Sequence, residues 1–141
     1  MGATIVTRLQ TLAEPIRNRL LVLLEHHELT VGELCEALQL PQSTVSRHLK
    51  VLADDGWVTS RPDGASRLYR MRLADLEPAA RRLWQVVREQ VEQSPPAARD
   101  SERLRSVLAE RRSRSEEFFA SAAGQWDRMR AELFGSRTEL L

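Results

Sequence analysis

The sequence predicts a mainly α chain with a small β-hairpin, an α+β class, followed by a C-terminal helical extension. Three observations carry that expectation. Apolar residues recur at spacings of three and four through most of the 141 residues, the period of a helix with one buried face. Two brief runs, 57–61 and 67–72, flank Pro62, Asp63, Gly64, Ala65 and Ser66, and these read as two strands around a turn. Ser94-Pro95-Pro96-Ala97-Ala98 then breaks the pattern before a second long helical stretch. The expected layout is one domain over 1–93, a linker over 94–98 and a long helical extension over 99–141.

Residues 4–13 carry Ile5, Val6, Leu9 and Leu12, an apolar stripe on a first helix. Pro15 suits the first turn of a second helix, which runs to about His26. Its Ile16, Leu20, Leu21, Leu23 and Leu24 nearly surround it, so it should be the buried central helix. Thr30 and Glu33 form a T-x-x-E capping box for a short helix holding Leu34, Ala37 and Leu38. Pro41 and Ser43 mark a turn and the start of the next helix, with Ser43 as its cap. Val45, Leu49 and Leu52 put one face of that helix in the core, and Gly56 ends it in the left-handed conformation. After the hairpin, residues 75–92 form a fifth helix with Leu76, Ala80, Leu83, Val87 and Val91 on a seam and Trp84 beside it. Beyond the break, Leu104, Leu108, Phe118, Ala122, Trp126, Met129 and Leu133 continue the helical period, closed by Gly135.

Composition narrows the functional classes. A chain with 42% hydrophobic and 29% charged residues is globular rather than disordered. No apolar run is long enough for a membrane span, and the N-terminus lacks the layout of a secretory signal. Gly2 is not a myristoylation site by pattern, since Val6 stands where Ser or Thr is needed. Cys35 is alone, so no disulfide forms within the chain, and a cytoplasmic location fits. Net charge is +1, so any contact with nucleic acid must come from a local patch. Residues 41–72 supply one: Arg47, Lys50, Arg61, Arg67, Arg70 and Arg72 against Asp54, Asp55 and Asp63. Lys50 is the lone lysine among 21 basic residues, which reflects a GC-rich coding bias before it reflects function.

The helix beginning near Pro41 has the chemistry of a duplex reader. Gln42, Ser43, Ser46 and Arg47 lie within about two turns of its N-terminal end, where short hydrogen-bonding side chains and an arginine reach base edges. Thr44 and Lys50 flank them and suit phosphates, His48 is a contact or partly packed, and Arg61 and Arg67 place charge on the hairpin for the neighbouring backbone or minor groove. Singly, each has a structural explanation: a cap, a solvated charge, a hairpin loop. Together they point to binding of double-stranded DNA.

The runs LAEPIRNRLLVLL and LTVGELCEALQLPQSTVSRHLKVLADDGWV, followed by an R-x-x-G hairpin ending in LYRM, closely resemble the winged helix-turn-helix of the ArsR/SmtB transcriptional regulators. The resemblance covers about residues 4–91. It implies a homodimer on a palindromic operator, usually as a repressor, with the first and fifth helices forming the dimer seam. Ile5, Leu9, Leu83 and Val87 suit that seam, although an intramolecular core explains them equally well.

The chain departs from the family's metal sensors. Where arsenic and cadmium sensors carry E-L-C-V-C-D-L, this chain reads Glu28-Leu29-Thr30-Val31-Gly32-Glu33-Leu34, and Cys35 alone makes no thiolate site. Residues 75–92 hold no histidine, and His26 and His27 are adjacent, about 100° apart on a helix. No metal is expected, and Cys35 reads as a small buried apolar group rather than a redox switch. Phe118-Phe119, Trp126-Asp127 and Leu133-Phe134-Gly135 resemble the lead-in helix of S-adenosylmethionine-dependent methyltransferases. The expectation is a regulator that precedes a methyltransferase in a longer protein, although an amphipathic helix packing on the domain or on its dimer mate also explains residues 104–133. The alternative is an enzyme fragment whose winged helix serves in dimerisation or docking. No G-x-G pattern is present, so no cofactor site is expected in these residues.

Overall fold

The structure, a computed structural model, describes residues 4–138 and their side chains apart from those of 127, 128 and 131–138. The helices are α1 (Ile5–Leu12), α2 (Pro15–Leu24), α3 (Val31–Leu38), α4 (Gln42–Asp54), α5 (Pro78–Val91) and α6 (Pro95–Thr138). A 3-10 turn (Leu73–Asp75) precedes α5. Strands β1 (Leu29–Thr30), β2 (Thr59–Asp63) and β3 (Ser66–Arg70) form one antiparallel sheet in the order β1-β3-β2. The chain divides into one unit ending at Arg105 and a second beginning at Ser106.

Local chemistry explains the boundaries. Thr4 caps α1 through the amide of Thr7, and Glu14 caps α2 with Pro15 at the first position. Thr30 and Glu33 make the expected reciprocal capping box at 3.2 and 2.9 Å. Gly56 takes φ +79 after α4, as the sequence requires of it. The tight α3–α4 turn rests on Gln39, a non-glycine residue at φ 57. Leu20, Leu21, Leu24, Leu34, Leu38, Val45, Leu49 and Leu52 are all under 2% exposed, with Trp57 and Trp84. Each large apolar side chain so buried contributes roughly 1.5–3 kcal/mol to holding the helices together.

Four expectations are corrected. Residues 94–98 are not a linker: Ser94 Oγ accepts the amide of Ala97 at 3.4 Å, and Pro95 and Pro96 open α6, where a missing N–H costs nothing. The boundary between units falls instead between Arg105 and Ser106, inside the helix. The hairpin turn is shorter than the five residues predicted, because Pro62 and Asp63 belong to β2 and Ser66 to β3. Only Gly64 and Ala65 remain between the strands, with Gly64 at φ 61. A third strand, β1, pairs Leu29 with Tyr69 and Thr30 with Leu68. Finally, Gly135 does not close the last helix, which runs to Thr138. The side chains of Leu133 and Phe134 lie outside those described.

The first turns of α6 are fixed by a buried carboxylate. Asp100 is 1% exposed and accepts from Arg19 Nε and Nη2 at 2.7 and 2.8 Å and from Arg103 Nη2 at 3.0 Å. The same two arginines donate to the carbonyls of Leu38 (3.1 Å) and Ala37 (2.7 Å) at the end of α3. One acid thereby ties α6 to α2 and supplies partners for carbonyls that a helix end leaves open. A second buried carboxylate, Glu25, accepts from the indole of Trp84 and from Arg88 at 2.7 and 2.9 Å, joining α2 to α5.

Candidate nucleic-acid interface

Helix α4 has two faces set by its period. Val45, His48, Leu49 and Leu52 are buried, while Gln42, Ser43, Arg47 and Lys50 are exposed and Thr44 and Ser46 half-buried. Ser43 is not the cap: α4 begins at Gln42 behind Pro41, which is extended (φ −63, ψ 151) and offers no side-chain acceptor. The hydroxyl of Ser43 is thus released from capping. The amides of the first turn are left without a side-chain partner, a geometry that favours a phosphate oxygen. Lys50 pairs with Asp54 at 3.1 Å on the surface, a weak contact that water and salt compete with.

His48 does not belong to the exposed ridge; of the two expectations for it, contact or partly packed, the structure shows the packed one. It is 7% exposed, three residues after Val45 on the core side, and its Nδ1 accepts from Arg17 Nη1 at 3.2 Å. Burial, with Arg17 and Arg47 alongside, holds the imidazole below its ordinary value, against a smaller opposing pull from Glu14.

The two hairpin arginines part company. In the ladder Arg61 stands opposite Leu68 and Arg67 opposite Pro62. Cross-strand partners share a face and neighbours alternate, so Arg61 and Arg67 lie on opposite faces of the sheet. Arg67 donates to Ser60 at 3.1 Å and lines a cleft of about 520 Å³ together with Gln42, Thr30, Cys35 and Tyr69. It therefore flanks the N-terminal end of α4. Arg61 grips Glu28 with two hydrogen bonds, 2.7 and 2.9 Å, and that carboxylate raises its pKa. It shares a separate hollow with Arg70 and Arg72. Of the expected DNA-facing residues, the structure brings together Gln42, Ser43, Thr44, Ser46, Arg47, Lys50 and Arg67, and sets Arg61 and His48 apart.

The expected seam residues occupy two helices packed on each other, α1 and α5. Ile5 and Leu9 are 51% and 49% exposed, so an intramolecular core does not explain them; Leu83 and Val87 are half-buried. Val6 and Val86 extend the exposed apolar surface. Residues that sequence reasoning missed hold this frame. Arg8 stacks over Trp57 at 5.1 Å and binds the carbonyl of Asp55 at the end of α4. Arg17 joins α1 to α4. The overlooked signal for Asp100 was its phase: it falls with Ala97 and Leu104 on one apolar stripe. Among the described residues, no group of three or more His, Cys, Asp or Glu side chains is placed to hold a metal. Burial raises the pKa of the Cys35 thiol, which keeps it protonated and weakly nucleophilic.

The family model "Bacterial regulatory protein, arsR family" matches residues 14–60. An HTH-type transcriptional regulator of Mycobacterium tuberculosis, Rv2034, is 38% identical over 78 residues, which cover 53% of this chain and 73% of that one. The chain belongs to the arsR family. The family's winged helix-turn-helix is also seen in the reduced HlyU of Vibrio cholerae, a solved structure that matches with a TM-score of 0.53 and 29% identity. That match covers 61% of this chain and 86% of HlyU. Another arsR-type relative, the HTH-type transcriptional repressor SmtB of M. tuberculosis, is 41% identical over 63 residues, or 45% of this chain. The match spans 47% of the SmtB chain, about half its length. In this arsR-type frame α3 and α4 are the helix-turn-helix and β2–β3 the wing.

Proposed function

We propose that this chain is a sequence-specific DNA-binding transcriptional regulator, acting as a repressor. It works as a homodimer on an operator of two half-sites about one helical turn apart. One observation carries the reading: exposed Gln42, Ser43 and Arg47, with half-buried Ser46 on the same side, form a polar ridge at the uncapped N-terminal end of α4, with Arg67 beside it. Arg47 supplies a fork for guanine, the ridge's hydroxyls and amide supply short donors and acceptors, and Thr44, Lys50 and Arg67 suit phosphates. A twofold partner seated on Ile5, Leu9, Leu83 and Val87 duplicates the ridge. The action is binding, with no catalytic step, metal or cofactor in these residues, and it places the protein in the cytoplasm with its DNA. No helix among the described residues is long and apolar enough to cross a membrane.

The test is fluorescence anisotropy with duplex from the protein's own promoter and a scrambled duplex of equal length. The reading expects the promoter duplex to bind at least about 1,000-fold more tightly, with affinity falling steeply as salt rises. Equal affinity for both duplexes would count against it. Leu9→Glu is expected to shift sedimentation toward single chains and to weaken operator binding with it. A variant that remains dimeric would remove that seam.

A further inference from the structure

Arg17 of α2 bridges two elements that the proposed function uses. Its Nε and Nη2 donate to the carbonyls of Thr11 (2.6 Å) and Gln10 (3.3 Å) in the last turn of α1. Its Nη1 donates to Nδ1 of His48 in α4. A guanidinium has donors only, so this last contact needs Nδ1 unprotonated. His48 directly follows Arg47, so any tilt of α4 that this contact controls moves the proposed base-reading side chain.

We infer that the Arg17–His48 contact is a positioning device: it holds α4 in its duplex-reading setting and lets go when His48 takes a proton, so that DNA binding weakens in acid. The inference rests on the DNA-reading function proposed above. A protonated imidazole would present a donor and a positive charge to Arg17 across 3.2 Å in a buried site. The charged groups acting on it are Arg17 from α2, Glu14 at the N-cap of α2 and Arg47 from its own helix; burial, Arg17 and Arg47 oppose protonation, and Glu14 favours it. The folded value therefore lies below the ordinary 6.5. The sign follows: the contact is complete above about pH 6.5 and is lost as pH falls through the lower folded value.

The sign also separates this role from a direct contact. A histidine on a phosphate gains from protonation, so binding through His48 itself would tighten in acid. Anisotropy of the full chain on its promoter duplex, at fixed ionic strength from about pH 8 to about pH 5, reads the difference. The wild type is expected to lose about tenfold in affinity for each unit by which duplex reading depresses the His48 pKa. In His48→Gln, an amide oxygen accepts from Arg17 and does not titrate. This variant is expected to match the wild type at the alkaline end and stay within about twofold throughout. Tightening in acid, or coincident profiles for wild type and His48→Gln, would overturn the inference alone. A wild type that binds no duplex at pH 8 would overturn it together with the function. Should the variant not fold, the His48 ring resonances of the wild type decide: the titration midpoint must be lower with duplex bound than without, and a higher one contradicts the device.

Discussion

Two exposed helix faces in this chain differ in what they leave to a partner. On the first two turns of α4 the uncovered side chains are Gln42, Ser43 and Arg47, which water satisfies fully while no partner is present. On the later part of α6 they include the large apolar Phe118 and Phe119 (each 68% exposed), Trp126 (55%) and Met129 (48%). The two phenyl rings meet edge to face at 5.8 Å, and Arg130 lies over Trp126 at 5.6 Å. A polar face can stand open at no cost and offers directional bonds; an aromatic face stands open against the hydrophobic effect and offers area. The contrast teaches that exposure alone does not mark a reading surface. On the function proposed here, what marks it is exposure combined with hydrogen-bonding chemistry on an element backed by a core, and Val45, Leu49 and Leu52 back α4 in that way.

The contrast can be broken or sharpened by substitution. The largest effect is expected where α6 is covered. Asp100→Ala strands Arg19 and Arg103 at the end of α3 and should cost about 3 kcal/mol in urea unfolding. A loss below about 1 kcal/mol would show that solvent reaches those arginines easily. Next come the hairpin arginines, which test the two faces of the sheet. Arg67→Ala should weaken duplex binding by about 1 kcal/mol across all sequences and lower the salt slope by about one, measured by anisotropy. Arg61→Ala should change the salt slope less, because its charge is already spent on Glu28. Equal effects would mean that the hairpin twists both toward DNA. The smallest effect belongs to the aromatic face: Phe118→Ser in the dilute single chain should shift stability by no more than about 0.5 kcal/mol. A larger loss at high concentration would show that something covers those rings.

Much of this was legible from residue types and their phase. The capping box at Thr30 and Glu33, the left-handed Gly56, the central position of α2 and the apolar face of α4 all follow from rules that act within one or two turns. The misreadings have equally local causes. Two consecutive prolines stop one helix and start another with the same chemistry, so 94–98 looked like a linker. A five-residue turn would have placed Arg61 directly opposite Arg67; the actual two-residue turn shifts the register by one and sends them to opposite faces. The chemistry of His48 leaves contact and packing both open, and its phase with Val45, Leu49 and Leu52 decides for packing. The left-handed Gln39 and the two-residue β1 leave no mark in the sequence, since one is set by how α3 and α4 pack and the other by pairing across the fold.

The claim that matters most is that the α4 ridge reads base sequence. Measuring wild type and Arg47→Ala against a set of operators with single base-pair changes tests it directly. The account predicts that the variant loses about 1–3 kcal/mol on the intact operator and no longer distinguishes the bases at one position in each half-site. A variant that binds every operator in the set as the wild type does would contradict it.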